Sequence, residues 1–510
     1  MHPVLCVSKF LLEIFSHVYS SQPGPWSMEP SVRTRMSIAA RVSRKSLAAL
    51  ARTCKAFHEP ATYYLWADLN GITPLLGCVP RLRPIRVIGG WQGSCPQGIE
   101  PLSEPETRQF LRHAPDVRVL GLHNNTHFPL LAVLQPEAAE TCLFPGLWSL
   151  SWMVSDTRYL QCLVSPALRR LSISKLSSDI ESIIGRCPAL EDLAINRAFG
   201  KTADELSLVS NTVRSCKRLV NLSCAPLDWA AWMHLSNIPT LLTVTIDGQF
   251  PSPLTWDHLK FSPFLKLTAL SFFSDDVTDI TPVIRRAEFP SLQKFAMHIP
   301  GFTTAKAERF FHALSQCKAS QTLEHIIIDS SYLVLKDDEE WGTPLTAIRQ
   351  FLCFTQLQTL KLSVCHTIDI DNDLLVEAMS SWPHLRSLEL DGYSGLPQPA
   401  VTFRALFTAL RFCPHLHTLQ VMIDAVNIDI DPTTESFRHA SLKTLRVGNS
   451  SLGDAGVVAR IIFTMLPSVD RVGDLRRSWH QVNLRLESFR PSAARVATVA
   501  GAAPIWRQMT

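Results

Sequence analysis

The 510 residues lack the short motifs that announce most chemistries. There is no G-x-x-x-x-G-K-[ST], no G-x-G-x-x-G, no G-x-S-x-G and no H-E-x-x-H, so the common nucleotide-, hydrolase- and zinc-peptidase signatures are absent. His58-Glu59 begins like a zinc helix, but Pro60 follows at once. Asp369, Asp371 and Asp373 open like a calcium loop, yet the glycine position holds Leu374 and the closing glutamate position Ser380, which excludes coordination of that type. No uninterrupted apolar run approaches the roughly 20 residues of a membrane helix, and Lys9 and Glu13 break the apolar N-terminus. No excess of one charge exists either. The 49 basic residues face 45 acidic ones, a net +4, too balanced for nucleic acid or an anionic membrane as the main partner. None of the thirteen cysteines forms a C-x-x-C pair, and they are scattered through apolar positions, as reduced core thiols of an intracellular protein would be. With 46% hydrophobic and 18% charged residues, the chain as a whole is too apolar to be disordered.

What the chain has is repetition. In FTQLQTLKLS, from Phe354 to Ser363, Leu357, Leu360 and Leu362 are spaced L-x-x-L-x-L. The same apolar spacing occurs at Val117/Leu120/Leu122, Leu147/Leu150/Trp152, Leu168/Leu171/Ile173, Leu190/Leu193/Ile195, Leu219/Leu222/Cys224, Leu241/Val244/Ile246 and Leu267/Leu270/Phe272. It continues at Leu292/Phe295/Met297, Leu323/Ile326/Ile328, Leu385/Leu388/Leu390, Leu416/Leu419/Val421 and Leu442/Leu445/Val447. These thirteen copies start 21 to 34 residues apart, the period of a leucine-rich-repeat solenoid with one short strand per repeat. The last two apolar positions lie two apart and so share one face of a strand. A single such strand cannot bury that face, whereas stacked neighbours can.

Between strands the pattern turns helical. Leu374, Leu375, Ala378 and Met379 make one stripe; Phe403, Leu406, Phe407 and Leu410 make another. Ser178 with Glu181 reads as a capping box, and Cys187-Pro188, Trp382-Pro383 and Cys413-Pro414 as helix stops. The expected fold class is α/β: a small all-helical module followed by an irregular leucine-rich-repeat horseshoe. The expected divisions are 1–70 for the module, 71–112 for a linker and N-terminal cap (Trp91 closing the core), 113–475 for the solenoid with its C-terminal cap, and 476–510 for a poorly ordered tail. At Val469/Val472, Asp474 takes the third apolar site, the mark of a cap. Residues alternating with the core positions face the concave side, where repeat proteins take partners. There they are Thr359, Lys361, Ser387, Glu389, Asp391, Thr418, Gln420, Thr444 and Arg446, with His298, His325, Asp329, Thr243, Thr245 and Asp247 on earlier strands. Their mixed character suits a protein partner better than nucleic acid.

In the N-terminal module, Phe10, Leu11, Ile14, Phe15 and Val18 fall at helical spacing, as do Leu47, Leu50, Cys54 and Phe57 in Ser46–Phe57, with Ser46 as N-cap and Pro60 opening a further segment. Three short elements make a thin core that often needs a partner. The strings LLEIFSHV and SLAALARTCKAFHEPATYYLWADL resemble an F-box, in the form found in fungal (basidiomycete-type) F-box proteins with leucine-rich repeats. The family usually opens with a Leu-Pro pair, where this chain has MHPVLCVSK. The resemblance implies docking on the Skp adaptor of a cullin ubiquitin ligase through Leu11, Leu12, Ile14, Phe15, Leu47, Leu50, Cys54, Phe57, Leu65 and Trp66, and a cytoplasmic or nuclear location. It implies a binding subunit that is no enzyme, has no cofactor or metal, and holds an unknown protein target, with neither nucleic acid nor membrane as partner. The competing reading is a repeat scaffold without a ubiquitin role, the N-terminal helices serving as its cap. The basic residues Arg33, Arg35, Arg41, Arg44, Lys45 and Arg52 and the acidic run Asp337 to Glu340 read as solvated surface.

Overall fold

In the computed structural model of the chain, the described residues are 8–18, 42–82, 101–123, 142–154, 157, 159–196, 202–248, 262–300, 303–330, 345–364, 367–392, 401–431, 433, 435–473 and 479–489. The chain divides into two compact units, Met1–Leu241 and Leu242–Thr510.

The first unit begins with three helices: α1 (Ser8–Val18), α2 (residues 42–50) and α3 (Lys55–Ala67). Phe15, Leu47 and Ala61 form their core, with Val18, Leu50, Phe57, Tyr64 and Leu65 packed around it. Phe15 meets Phe57 edge to face at 5.5 Å, and Tyr64 Oη donates to Leu12 O at 3.0 Å. The helix expected over Ser46–Phe57 is in fact two. Arg52 and Thr53 turn their N–H groups to the carbonyls of Ala49 and Leu50, three residues back, and Cys54 is extended at φ −156°, ψ 163°. Thr53 Oγ1 also takes Leu50 O, the local competition that makes threonine a poor helix interior. Ser46 is no N-cap; it lies inside α2 and donates back to Val42 O. Pro60 lies inside α3 rather than opening a segment.

α3 passes directly into β1 (Asp68–Asn70), followed by β2 (Val119–Leu122), β3 (Ser149–Trp152), β4 (Arg170–Ile173), β5 (Asp192–Ile195) and β6 (Asn221–Cys224). Each strand pairs in parallel with the next through β6, with Leu120, Leu150, Leu171, Leu193 and Leu222 in one line of the register. In the second unit β7 (Thr243–Asp247), β8 (Ala269–Phe273), β9 (Lys294–His298), β10 (His325–Asp329), β11 (Thr359–Ser363), β12 (Ser387–Asp391), β13 (Thr418–Gln420), β14 (Thr444–Arg446) and β15 (Val472–Gly473) do the same. The thirteen sequence repeats coincide with β2 to β14, and their apolar triplets are all buried, none above 6% exposed. Each unit is a leucine-rich-repeat solenoid of the α/β class.

A second regularity ties the repeats together. Trp148 N and Ser149 N both donate to Arg118 O, and Arg169 N and Arg170 N both donate to Trp148 O. Glu191 with Asp192, and Val220 with Asn221, follow suit. The second unit repeats this from Thr268 and Ala269 on Leu242 O through Lys443 and Thr444 on His417 O. One carbonyl in each of these repeats thus serves two consecutive donors of the next, leaving neither N–H unpaired.

Two boundaries differ from the expected ones. Within 71–112, Gly71 leaves β1 at φ 102°, a left-handed conformation glycine adopts without strain. Ile72, Leu75, Leu76, Val79 and Leu82 are then buried, and helix Glu104–Phe110 starts at a true capping box, Ser103 with Glu106. The described residues of this stretch belong to a first repeat between β1 and β2; Trp91 lies outside the described residues. The capping box expected at Ser178 and Glu181 does not form, because Asp179 is already αR and makes no side-chain cap. The two helical stripes are helices Asn372–Ser381 and Phe403–Leu410, with all eight apolar residues buried.

At the other end, the stretch expected as a poorly ordered tail from 476 contains Trp479, which is buried and donates Nε1–H to Ser450 O at 2.9 Å. Helix His480–Phe489 follows, burying Val482, Asn483 and Leu486. The apolar spacing at Trp479, Val482 and Leu486 is that of a core-facing helix. The last strand meets a side chain in place of a neighbour. Asn483 Oδ1 accepts from Val472 N at 2.8 Å and Nδ2 donates to Val472 O at 3.0 Å. One amide thereby satisfies both groups of an edge residue, which would otherwise invite another strand.

Two outcomes follow from these contacts. Asn483→Ala leaves the Val472 donor and acceptor buried and unpaired, and should lower stability by about 1–3 kcal/mol in urea unfolding. Glu106 accepts from Arg81 and from Ser103, interactions that lower its pKa from 4.5 to about 2. Its contribution is present above pH 4.5 and is lost as pH falls through about 2, so Glu106→Gln should flatten the acid limb of a melting-temperature profile over that range.

Candidate functional site

Two surfaces collect the residues singled out from sequence. The first is the α1–α3 module. Leu11, Phe15 and Leu47 are buried and hold the helices to one another. Leu50, Phe57 and Leu65 are half-buried against that core, and Leu12 and Cys54 are half-buried. Trp66 stacks flat on His113, with centroids 4.2 Å apart. Ile14, at 44%, is the one exposed member of the set, and Val42, at 58%, is a further exposed apolar residue of the module. Sequence periodicity put Ile14 and Phe15 on one stripe, but adjacent helical residues point about 100° apart, so Phe15 faces inward and Ile14 outward. Arg44 Nη2 donates to Asp68 O at 2.8 Å, tying α2 to the first strand. Lys45 and Arg52 are exposed, while Arg33, Arg35, Arg41, Phe10's side chain and the acidic run at 337–340 lie outside the described residues.

The second surface is the strand face of the second unit, opposite the core triplets. The register places Thr359, Ser387, Thr418 and Thr444 side by side across β11 to β14, and Lys361, Glu389, Gln420 and Arg446 in the next row. Neighbouring strands lie about 4.8 Å apart, so each row is a continuous polar track. Arg446 Nη1 reaches over Gln420 to Glu389 Oε2 at 3.7 Å, and Ser387 Oγ donates to the other Glu389 oxygen at 3.1 Å. A third row holds Asp247, Phe273, His298 and Asp329 on β7 to β10, then Ser363 and Asp391. Phe273 stacks on His298 at 4.4 Å and 6°, and His298 Nδ1 lies 4.0 Å from Asp329 Oδ2. Burial pulls the His298 pKa down, opposed by Asp329 and assisted by Lys361. His325 is lowered by burial and by Lys294. Both imidazoles are therefore neutral hydrogen-bonding groups at pH 7. Phe273 and Lys294 were missed from sequence, although they occupy the same alternating positions. Thr243 and Thr245 fall on β7 beside Ala269 and Ser271.

The remaining motifs resolve into structural roles. Asp371 caps helix Asn372–Ser381, accepting from Leu374 N at 2.7 Å, so the calcium-like aspartates are a helix start. Among the described residues no group of three or more His, Cys, Asp or Glu could hold a metal ion, and no helix is long and apolar enough to cross a membrane. The described cysteines are free thiols. Burial pushes Cys187 and Cys413, and burial with Cys216's neighbour Cys187 pushes Cys216, up to about 12, which keeps them protonated and poor nucleophiles.

No protein-family model matches the chain. Coronatine-insensitive protein homolog 1b of Oryza sativa subsp. japonica is 27% identical over 186 residues, covering 34% of this chain and 30% of that protein. Homolog 1a of Oryza sativa subsp. indica is 28% identical over 129 residues, 24% of this chain and 21% of that one. The chain thus spans less than a third of the length of these curated relatives. Among solved structures, an internalin from Listeria monocytogenes aligns with TM-score 0.34 at 14% identity, over 68% of this chain and 88% of that one. The APL1 leucine-rich repeat domain gives 0.31 at 16%, over 71% and 80%. The solenoid assignment stands on this chain's own strand register.

The burial difference within the module is measurable. Leu47→Asp puts an unpaired charge into the core and should cost more than about 3 kcal/mol, with loss of the thermal transition of the first unit. Ile14→Asp should melt within about 0.5 kcal/mol of the wild type.

Proposed function

We propose that the chain is a substrate-recognition subunit of a Skp–cullin–F-box ubiquitin ligase, docking on the Skp adaptor through α1–α3 and holding a target protein on the strand face of its repeats. The observation that carries this reading is the module's incomplete closure. Among the described residues its core is Leu11, Phe15, Leu47 and Ala61 with their partly buried neighbours, while Ile14 and Val42 are exposed. Exposed apolar side chains on so thin a core suit a surface completed by a partner. The resemblance of residues 9–70 to an F-box names that partner as the adaptor. Within the module, Leu11, Phe15 and Leu47 act by shaping the surface, and Leu12, Ile14, Leu50 and Cys54 by reaching it.

The strand face of the second unit would take the target, with hydroxyl and charged rows offering directional contacts rather than one dominant charge. The chain's own contribution is proximity: binding target and ligase together raises the effective concentration of one beside the other.

A scaffold without a ubiquitin role is the second reading, and one observation favours it. α3 runs without a break into β1, Arg44 is bonded to Asp68 O and Trp66 stacks on His113, which is how a solenoid cap would be seated.

Because the module is continuous with the sheet, the decisive test uses the full chain. Purified Skp adaptor is expected to be retained by the wild type and lost at least tenfold by Ile14→Asp and by Val42→Asp, each folded by circular dichroism. An adaptor that fails to bind the wild type leaves the scaffold reading.

A further inference from the structure

The strand face of the first unit carries a furrow. In register across β2 to β6, Gly121, Ser151, Ser172, Ala194 and Ser223 stand in one row. Each follows a buried leucine of the core column, so alternation turns it away from the core. All five are glycine, alanine or serine, where the same row of the second unit holds Lys361, Glu389, Gln420 and Arg446. The row is therefore a low floor between taller neighbours. At its β2 end the floor is covered. A Cβ on Gly121 would stand 2.6 Å from His123 Nε2 and 3.1 Å from Asn70 Oδ1, so the imidazole lies over the glycine.

Small residues alone make only a gap. Two hydroxyls distinguish this one. Ser172 is 6% exposed, and among the described residues its side chain makes no hydrogen bond. Ser151 Oγ, its neighbour in the register, is shielded from solvent and likewise unpaired. Hydroxyls close by are used within the fold: Ser165 Oγ donates to Leu147 O at 2.8 Å, and Ser174 Oγ to Val154 O at 3.3 Å. A buried hydroxyl without a partner is destabilising and uncommon, and alanine fits the same row one strand away at Ala194. Hydroxyls retained against that cost point to a polar group arriving from outside the chain's own core.

Width, length and charge narrow that group. Arg170 and Ser174, the rims on either side of Ser172, are four residues apart, about 13 Å along a strand. Rim side chains bring the opening below the 10–12 Å of a helix, which leaves room for one extended chain. The open floor from Ser151 to Ser223 crosses four strands about 4.8 Å apart, the length of roughly four extended residues. Charge on the rim is answered within the rim. Arg170 Nε lies 2.7 Å from Asp192 Oδ2, the other Asp192 oxygen accepts from Asn221 Nδ2 at 2.6 Å, and the guanidinium sits over Trp148 at 5.0 Å. A neutral amide suits such a site better than an ion, since a serine hydroxyl both donates and accepts. Small residues on a strand also mark where a second backbone comes close. We propose that this furrow binds a neutral, extended segment of a partner protein, its main chain pairing with Ser172 and, after a turn about χ1, with Ser151. The assignment rests on neither adaptor docking nor the strand face of the second unit, and holds for a ligase subunit or a scaffold alike.

The test uses the full-length chain and a phage-displayed library of random octapeptides, depleted first on the Ser151→Ala/Ser172→Ala variant and then selected on the wild type. Enriched peptides are expected to carry an uncharged core of about four residues. As fluorescein-labelled synthetic peptides they should bind the wild type at least tenfold more tightly than either the double alanine variant or Ser223→Phe, which fills the open end of the floor. N-methylation of their central amides should weaken binding at least tenfold, as main-chain recognition requires. The double alanine variant should melt at or above the wild-type temperature, because it removes two hydroxyls that have no partner in the fold, and should retain purified Skp adaptor to the same extent as the wild type. Failure of any peptide to enrich over the depleted pool, indifference to N-methylation, or a lowered melting temperature of the double alanine variant overturns the proposal.

Discussion

No strand in this protein can bury its own apolar face, and everything else follows from how that is solved. Each strand is two to five residues long, far too short to fold alone, and offers the interior two or fewer alternating side chains plus the one that precedes it. Stacking in parallel at one-repeat register turns these small contributions into unbroken columns. In the second unit one column runs Val244, Leu270, Phe295, Ile326, Leu360, Leu388, Leu419, Leu445 and Val472. The same register sets the opposite face, because the residues between those positions are forced into rows of their own. The polar tracks across β11 to β14 are a by-product of the hydrophobic columns.

That coupling explains what was legible in the sequence. The period-two apolar spacing is local, repeated and enforced by burial, so the thirteen triplets mark β2 to β14 and the strand-face residues follow by alternation. The end strands escaped for the same reason. β1 carries only Leu69 inward, and β15 only Val472 before Asp474, and neither completes the triplet. The break at Cys54 was invisible because the stripe of Leu47, Leu50, Cys54 and Phe57 keeps its spacing while the backbone stops being helical. Asp371 imitated a metal loop because side-chain oxygens cap helices and bind cations by one and the same property.

The two surfaces differ in what supports them. The strand face rests on the deepest part of the core, so its rows are held in place by buried columns directly beneath. Among the described residues, the N-terminal module rests on a few buried side chains, Leu11, Phe15, Leu47 and Ala61, and on bonds to the first strand such as Arg44 to Asp68 O. Any partner that covers Ile14 and Val42 would therefore find a surface with little internal reserve of its own, and binding there and folding there are thermodynamically linked.

The carbonyl that accepts two donors at the start of β3 to β6 and of β8 to β14 has a consequence for how such a chain can change. It acts only on the residue before each strand and the strand's first residue, and is indifferent to how many lie between one strand and the next. Repeat starts here range from 21 to 34 residues apart, yet the strand register never slips. Length gained or lost between strands is absorbed on the helical side, where it alters grooves and charges, while the inner sheet keeps the same ruling throughout. The inside of the repeat behaves as a ruler and the outside as a margin, and new surface features can be written in that margin without rewriting the fold.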